Sequence, residues 1–293
     1  MPFYEIEFPL APLSEDDVEA ALAEAGALSV TLVDRGDEPV LEPKPGEIRL
    51  WPDTLIRALF DQSSDPALAL SLLIRRLGAH LEETARVRGV EDQVWERACL
   101  KDLKPMRFGR RLWVVPTSVA GPSDEHAVVV HLDPGLAFGT GSHPTTALCL
   151  QVLESLPVAG QSVIDYGCGS GILGIAALKL GAAHVCALDI DPQALVASRE
   201  NAFRNGVAER IEVLGADAKL DPAFLVLSNI LAGPLVELAP RLTAACAAGG
   251  HLVLSGLLRT QAHVVRAAYS AGFDMVRTVE RDEWCCIYAR RAA

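Results

Sequence analysis

Apolar and polar residues alternate from Phe3 to Phe8, the two-residue period of a half-buried strand, before Pro9 and Pro12 end the run. The period then becomes helical, because Val18, Ala21, Leu22 and Ala25 recur at three- and four-residue spacing. Ser14 stands where an N-cap belongs, Glu15, Asp16 and Asp17 fill the first turn, and Gly26 stops the helix. Strands are predicted over residues 28–33 and 47–51, a helix over 66–81 and a further strand over 83–90. That order, βαββαβ, is a ferredoxin-like split α+β unit, and it assigns residues 1–92 to a small N-terminal domain.

Between residues 93 and 111 the composition turns aromatic and basic, with Trp95, Arg97, Lys101, Lys104, Arg107, Phe108, Arg110 and Arg111. A cluster this short reads as an interdomain linker with a solvated face rather than an RNA-binding site. From residue 112 to 293 strand-like runs at 112–116, 128–132, 162–165, 184–190, 211–215, 224–230 and 251–256 alternate with helical stretches. Such alternation requires a parallel sheet. Two closing runs, 275–280 and 284–291, flank a charged turn and predict a hairpin whose last strand is antiparallel. The expected fold class is therefore α/β, a Rossmann-like, mostly parallel sheet behind a small α+β domain.

Charge and cysteine content narrow the function. The chain has 293 residues and a net charge of −12, which repels nucleic-acid phosphate and suits a cationic partner. Residues 1–92 hold 19 acidic against 8 basic side chains, whereas residues 93–293 hold 19 against 18. Seven cysteines without a C-x-x-C pair, and seven histidines without helical i, i+4 pairing, predict reduced thiols and no metal site. No apolar run reaches the roughly 20 residues a bilayer needs, and residues 1–5 lack the features of a signal peptide. A soluble cytoplasmic protein is expected.

Candidate chemistry concentrates at strand ends. Val163-Ile164-Asp165-Tyr166-Gly167-Cys168-Gly169-Ser170-Gly171 is a buried strand running into a glycine turn and then a helix. Its glycines are spaced G-x-G-x-G, not the G-x-G-x-x-G that seats a pyrophosphate, so the turn suits a ligand without phosphate. Asp165, directly or through water, suits an ammonium group. Asp189 closes the next strand, where a carboxylate can accept from both hydroxyls of a ribose. Asp191-Pro192 beside it reads as an N-cap and first helical residue. Asp217 can meet an adenine amino group or simply begin a loop. Asn229, at the end of the fourth strand of the set, offers a carbonyl oxygen to a nucleophilic amine. Upstream, Phe138-Gly139-Thr140-Gly141-Ser142-His143-Pro144-Thr145-Thr146 is a loop able to fold over a ligand, with Thr145 or Thr146 either binding it or capping the next helix. His143 reads as structural.

Taken together, these motifs resemble the ribosomal protein L11 methyltransferase family. The resemblance spans the whole chain and rests on the 136–146 loop, Asp165 to Gly171, Asp189-Ile190-Asp191-Pro192 and Asn229-Ile230-Leu231-Ala232-Gly233-Pro234, all in the family's order; Ser142 stands where threonine is expected. It implies a class I S-adenosyl-L-methionine-dependent enzyme, with the cofactor held by Thr145 or Thr146, Gly167, Gly169, Asp189 and Asn229, and with Asn229 catalytic. It also implies transfer of methyl groups to lysine ε-amines and an N-terminal α-amine of a large-subunit ribosomal protein. The acidic segment 1–92 then becomes a surface complementary to a lysine-rich substrate. No nucleic-acid or membrane partner is expected, and a monomer is the default. Three competing readings are a methyltransferase acting on RNA or a small molecule, a ribosome assembly factor with incidental catalysis, and a nicotinamide enzyme. The charge of the N-terminal segment opposes RNA, and the glycine spacing opposes nicotinamide.

Overall fold

Tyr4, Ile6 and Phe8 are buried while their neighbours in sequence are partly exposed, so strand β1 (Phe3–Pro9) forms as its alternation predicts. The computed structural model describes residues 3–36, 50–61, 63–90, 104–133 and 141–292. Ser14 caps α1 (Glu15–Ala25), accepting from the Asp17 N–H at 3.2 Å, and Gly26 follows at φ 84°. Next come β2 (Ser29–Asp34), β3 (Thr54–Asp61), α2 (Pro66–Leu77), the single turn α3 (Leu81–Thr84) and β4 (Arg86–Val90). The sheet order is β2-β3-β1-β4 with every pair antiparallel, which is the ferredoxin-like arrangement. Ile6, Phe8, Leu22, Ile56, Phe60 and Leu73 form its core. On the other face Glu5 and Glu7 pair with Arg57 and Arg88 at 2.8–3.1 Å.

The third strand departs from expectation. It spans Thr54–Asp61, not residues 47–51, of which Leu50 and Trp51 are outside any strand and 47–49 lie outside the described residues. Leu55 and Leu59 alternate with Ile56, Ala58 and Phe60, so apolar residues on both faces mask the two-residue period. The strand expected over 83–90 starts at Arg86, because α3 occupies the residues just before it.

The chain divides into two compact units, Met1–Ala98 and Cys99–Ala293. The second contains β5 (Met106–Phe108), β6 (Leu112–Val115), β7 (Val128–His131), α4 (Pro144–Glu154), β8 (Ser162–Tyr166), α5 (Ile172–Lys179), β9 (His184–Asp189), α6 (Pro192–Arg204), β10 (Ile211–Gly215), β11 (Ala223–Asn229), α7 (Ala232–Glu237), α8 (Ala239–Ala245), β12 (Cys246–Leu258), α9 (Ala262–Tyr269), β13 (Phe273–Arg281) and β14 (Trp284–Arg291). Seven strands form one sheet in the order β10-β9-β8-β11-β12-β14-β13. The first five run parallel, and β14 is antiparallel to both its neighbours. Helices cover both faces: α4 and α5 bury Leu148, Leu150, Leu153, Ile175 and Leu178 on one, while α7, α8 and α9 bury Leu235, Leu242, Val265 and Tyr269 on the other.

Strands β6 and β7, expected in the main sheet, instead make a separate three-stranded sheet with β5, which itself falls within the segment read as a linker. Burial of Leu112, Val114 and Val130 in the same core as α4 and α5 explains their apolar pattern. A local pattern shows that a strand is buried but does not name the strand it pairs with.

Candidate active site

Strand order reverses around β8, whose successor in sequence, β9, lies on one side while β11 lies on the other; open α/β sheets bind ligands at the carboxyl ends of the strands at such a point. Gly167, Gly169 and Gly171 follow β8 with φ of 76°, 53° and 79°. Backbone lacing ties this turn to β9: the Gly167 and Cys168 N–H groups donate to the Leu188 carbonyl at 2.7 and 2.9 Å. Gly167 needs to be glycine on a second ground, since a Cβ there would stand 2.3 Å from Ile230 Cγ2.

Asp189 completes the turn. Its Oδ2 accepts from the Gly169 N–H at 2.9 Å and its Oδ1 from the Asp191 N–H at 3.0 Å, so the carboxylate holds both the glycine turn and the start of α6. Each oxygen keeps a second lone pair for a ligand hydroxyl. Asp191 caps α6 through the Gln193 N–H at 2.9 Å, with Pro192 in the first turn, as the sequence predicts. Asp217 lies exposed in the turn after β10, a turn tied to β9 by the Ala216 N–H donating to the Asp189 carbonyl at 3.0 Å.

Two residues of α6 that the sequence reading passed over support the turn from below. Ser198 donates to the Gly169 carbonyl at 2.9 Å, and Asn201 donates to the Ser170 carbonyl at 2.9 Å. Their signal was present as polar residues among Ala194 and Ala202 on the buried stripe of α6.

Across the crevice, Thr146 is fully buried in the first turn of α4, and Asn229 Nδ2 donates to its Oγ1 at 3.2 Å. That bond leaves Asn229 Oδ1 as a buried acceptor with no partner among the described residues; Asp165 Oδ1 is another. Asp165 pairs in register with Leu227, two residues before Asn229, so both orphaned oxygens belong to the same face of the sheet. The Asn229-Ile230 backbone is clamped from behind by Gly256, at φ 86°, where a Cβ would lie 2.3 Å from the Ile230 carbonyl oxygen.

The N-cap of α4 is His143, which sets aside the capping alternative for Thr145 and Thr146. His143 Nδ1 lies 3.3 Å from the Thr145 N–H and 2.7 Å from Thr145 Oγ1, and its ring meets Trp284 edge-on at 4.9 Å. Burial, against the charge of Glu283, lowers the imidazole's proton affinity, which favours the form whose Nδ1 accepts from Thr145. Thr145 is thereby engaged locally, while Thr146 reaches across to β11. Residues 134–140 of the upstream loop lie outside the described residues.

A doubly covered sheet of this order, with a glycine turn, a strand-end acid and buried carbonyl acceptors at its switch point, defines a class I methyltransferase. The chain belongs to the ribosomal protein L11 methyltransferase family, whose family model, Ribosomal protein L11 methyltransferase (PrmA), matches residues 2–292. Curated relatives with that name from Serratia proteamaculans and Pseudomonas aeruginosa are each 50% identical over 295 residues, covering 99% and 100% of this chain and all of theirs. Among solved structures, a ribosomal protein L11 methylase from Lactobacillus delbrueckii subsp. bulgaricus matches at TM-score 0.60 and 32% identity, over 65% of this chain and all of that one.

Proposed function

We propose that the protein transfers methyl groups from S-adenosyl-L-methionine to amine nitrogens of ribosomal protein L11, namely lysine ε-amines and the N-terminal α-amine, in the cytoplasm. The observation that carries this reading is the pair of orphaned, buried acceptors, Asp165 Oδ1 and Asn229 Oδ1, on one face of the switch point. Buried acceptors call for hydrogen-bond donors, and the ammonium of the cofactor and the N–H groups of an acceptor amine are such donors. The cofactor fits the other residues as well: a glycine turn with no room for a Cβ at Gly167, and a ribose-binding carboxylate at Asp189.

When bound, S-adenosyl-L-methionine supplies a sulfonium-activated methyl group. The protein's part is to bind, orient and exclude water. Gly167, Gly169 and Asp189 form the cradle, with Ser198 and Asn201 holding its shape. Thr146 fixes the Asn229 amide so that Oδ1, an acceptor, faces the incoming amine and directs its lone pair. Direct displacement needs an unprotonated amine and no further base, in keeping with a His143 committed to capping α4.

Residues 1–92 act in this reading as the substrate-recognition domain, through an excess of 11 acidic over basic side chains. Substrate KM should therefore rise with added salt, because exposed charges are screened over roughly 8–10 Å at physiological ionic strength. A salt-independent KM would remove charge from the recognition argument. Asp189→Ala should weaken cofactor binding by about 1–3 kcal/mol, the scale of lost hydrogen bonds to a charged acceptor. An unchanged dissociation constant by titration calorimetry would remove Asp189 from the ribose site. The function itself is tested by incubating ribosomes from cells lacking this enzyme with methyl-labelled cofactor and fractionating protein from RNA. Label should appear in L11; label confined to RNA would favour the competing reading.

A further inference from the structure

Asp165 is 1% exposed on β8. Its Oδ2 accepts from the Gly174 N–H at 2.8 Å, and a Cβ at Gly174 would stand 3.2 Å from that oxygen, so α5 presses directly on the carboxyl. Its Oδ1 is sealed from solvent without a partner among the described residues. One amide hydrogen bond does not compensate a full charge taken out of water.

Among the described residues, the surrounding elements supply no positive charge. At the end of β9 stands Asp189, of the same sign; in the turn, burial pushes the Cys168 thiol up to about 12, leaving it neutral. The sole basic side chain of α5 is Lys179, at its far end, and α4 brings only the His143 imidazole at its start, lowered by burial. Leu227 of β11 lies directly opposite. Burial, with the charge of Asp189 adding to it against the Gly174 hydrogen bond, raises the Asp165 carboxyl to about 7. A buried carboxyl so placed has two ways to satisfy its second oxygen: a proton of its own, or a cation brought by the ligand.

We propose that Asp165 carries a proton in the ligand-free protein and gives it up to solvent when the α-ammonium of S-adenosyl-L-methionine binds beside it, so that cofactor binding is coupled to proton release. The proposal rests on the cofactor reading above. The O–H bond of the carboxylic acid breaks, the proton passes to buffer, and the carboxylate faces the ligand's ammonium. Affinity for the cofactor then rises with pH up to about 7 and levels off above it, because only the ionised carboxyl pairs with the cation.

Titration calorimetry of the full chain with S-adenosyl-L-methionine, at pH 7 in phosphate and in Tris, counts the protons exchanged. The cofactor's own α-amine, with an ordinary pKa of about 7.7–8.0, is already mostly protonated at pH 7 and can take up only a small fraction of a proton, so the comparison is with Asp165→Asn. Wild type should release about half a proton more per ligand bound than the variant, and its dissociation constant should fall with pH relative to the variant's, approaching tenfold per unit below pH 7. Equal proton counts in the two proteins overturn the proposal. Infrared difference spectra of wild type alone give an independent readout: loss of a protonated-carboxyl band on binding supports it, and no such loss overturns it. If wild type shows no binding at all, the cofactor reading itself falls, an outcome distinct from binding without proton release.

Discussion

Replacing Gly256 with alanine should destabilise the second unit by about 2–4 kcal/mol, combining the strain of alanine at positive φ with overpacking. The new Cβ would stand 2.3 Å from the oxygen, 2.7 Å from the carbon and 2.9 Å from the nitrogen of Ile230, all backbone atoms that cannot rotate away. Ile230 must therefore shift, and on its other side it already fills the space beside Gly167. Asn229 moves with it, so activity should fall beyond what instability alone explains. Gly249→Ala is the control: φ there is also positive, at 68°, but nothing lies within 4 Å of its Cβ position. That variant should lose only about 1 kcal/mol, the cost of the left-handed backbone. Urea denaturation of the two variants separates the effects, and equal losses would show that the clamp on Ile230 is unimportant.

Asn229→Ala should lower kcat about 100-fold while changing cofactor affinity only a few-fold. The amide is held by Thr146 at 3.2 Å and presents Oδ1 without a competing partner among the described residues, a geometry whose value, in the proposed mechanism, is realised when the amine attacks. Thr146→Val removes the bond that orients the amide while leaving Asn229 in place, so it should show a smaller loss in kcat of the same kind. Equal losses in kcat and in cofactor affinity for Asn229→Ala would make this residue a cofactor ligand alone.

How much of this was legible in the sequence follows from the range of the forces involved. Strand β8, the glycine turn and α5 could be read because burial, turn chemistry and helix start lie within a few adjacent residues. The same holds for the cap at Asp191 and the hairpin of β13 and β14. What escaped depended on partners distant in sequence. Strand β3 hid because apolar residues occupy both its faces, and β6 and β7 disclosed their burial but not their separate sheet. His143 was passed over as a cap because serine, threonine, asparagine and aspartate are the usual N-caps, and two threonines stood beside it. Gly256 reads as an ordinary glycine until the Ile230 backbone is found against it. Asp189 was legible as a strand-end acid, whereas its task of holding Gly169 and Asp191 is a matter of three-dimensional reach.

The central claim is that this crevice delivers methyl groups to amine nitrogen, and mass spectrometry of L11 after reaction with the purified enzyme and methyl-labelled S-adenosyl-L-methionine tests it most directly. Fragment spectra should place the label on lysine ε-nitrogens and on the N-terminal α-nitrogen, stable to base, and Asn229→Ala enzyme should label the same atoms far more slowly. Base-labile label on carboxyl groups, or L11 left unlabelled by wild-type enzyme that binds the cofactor, would contradict it.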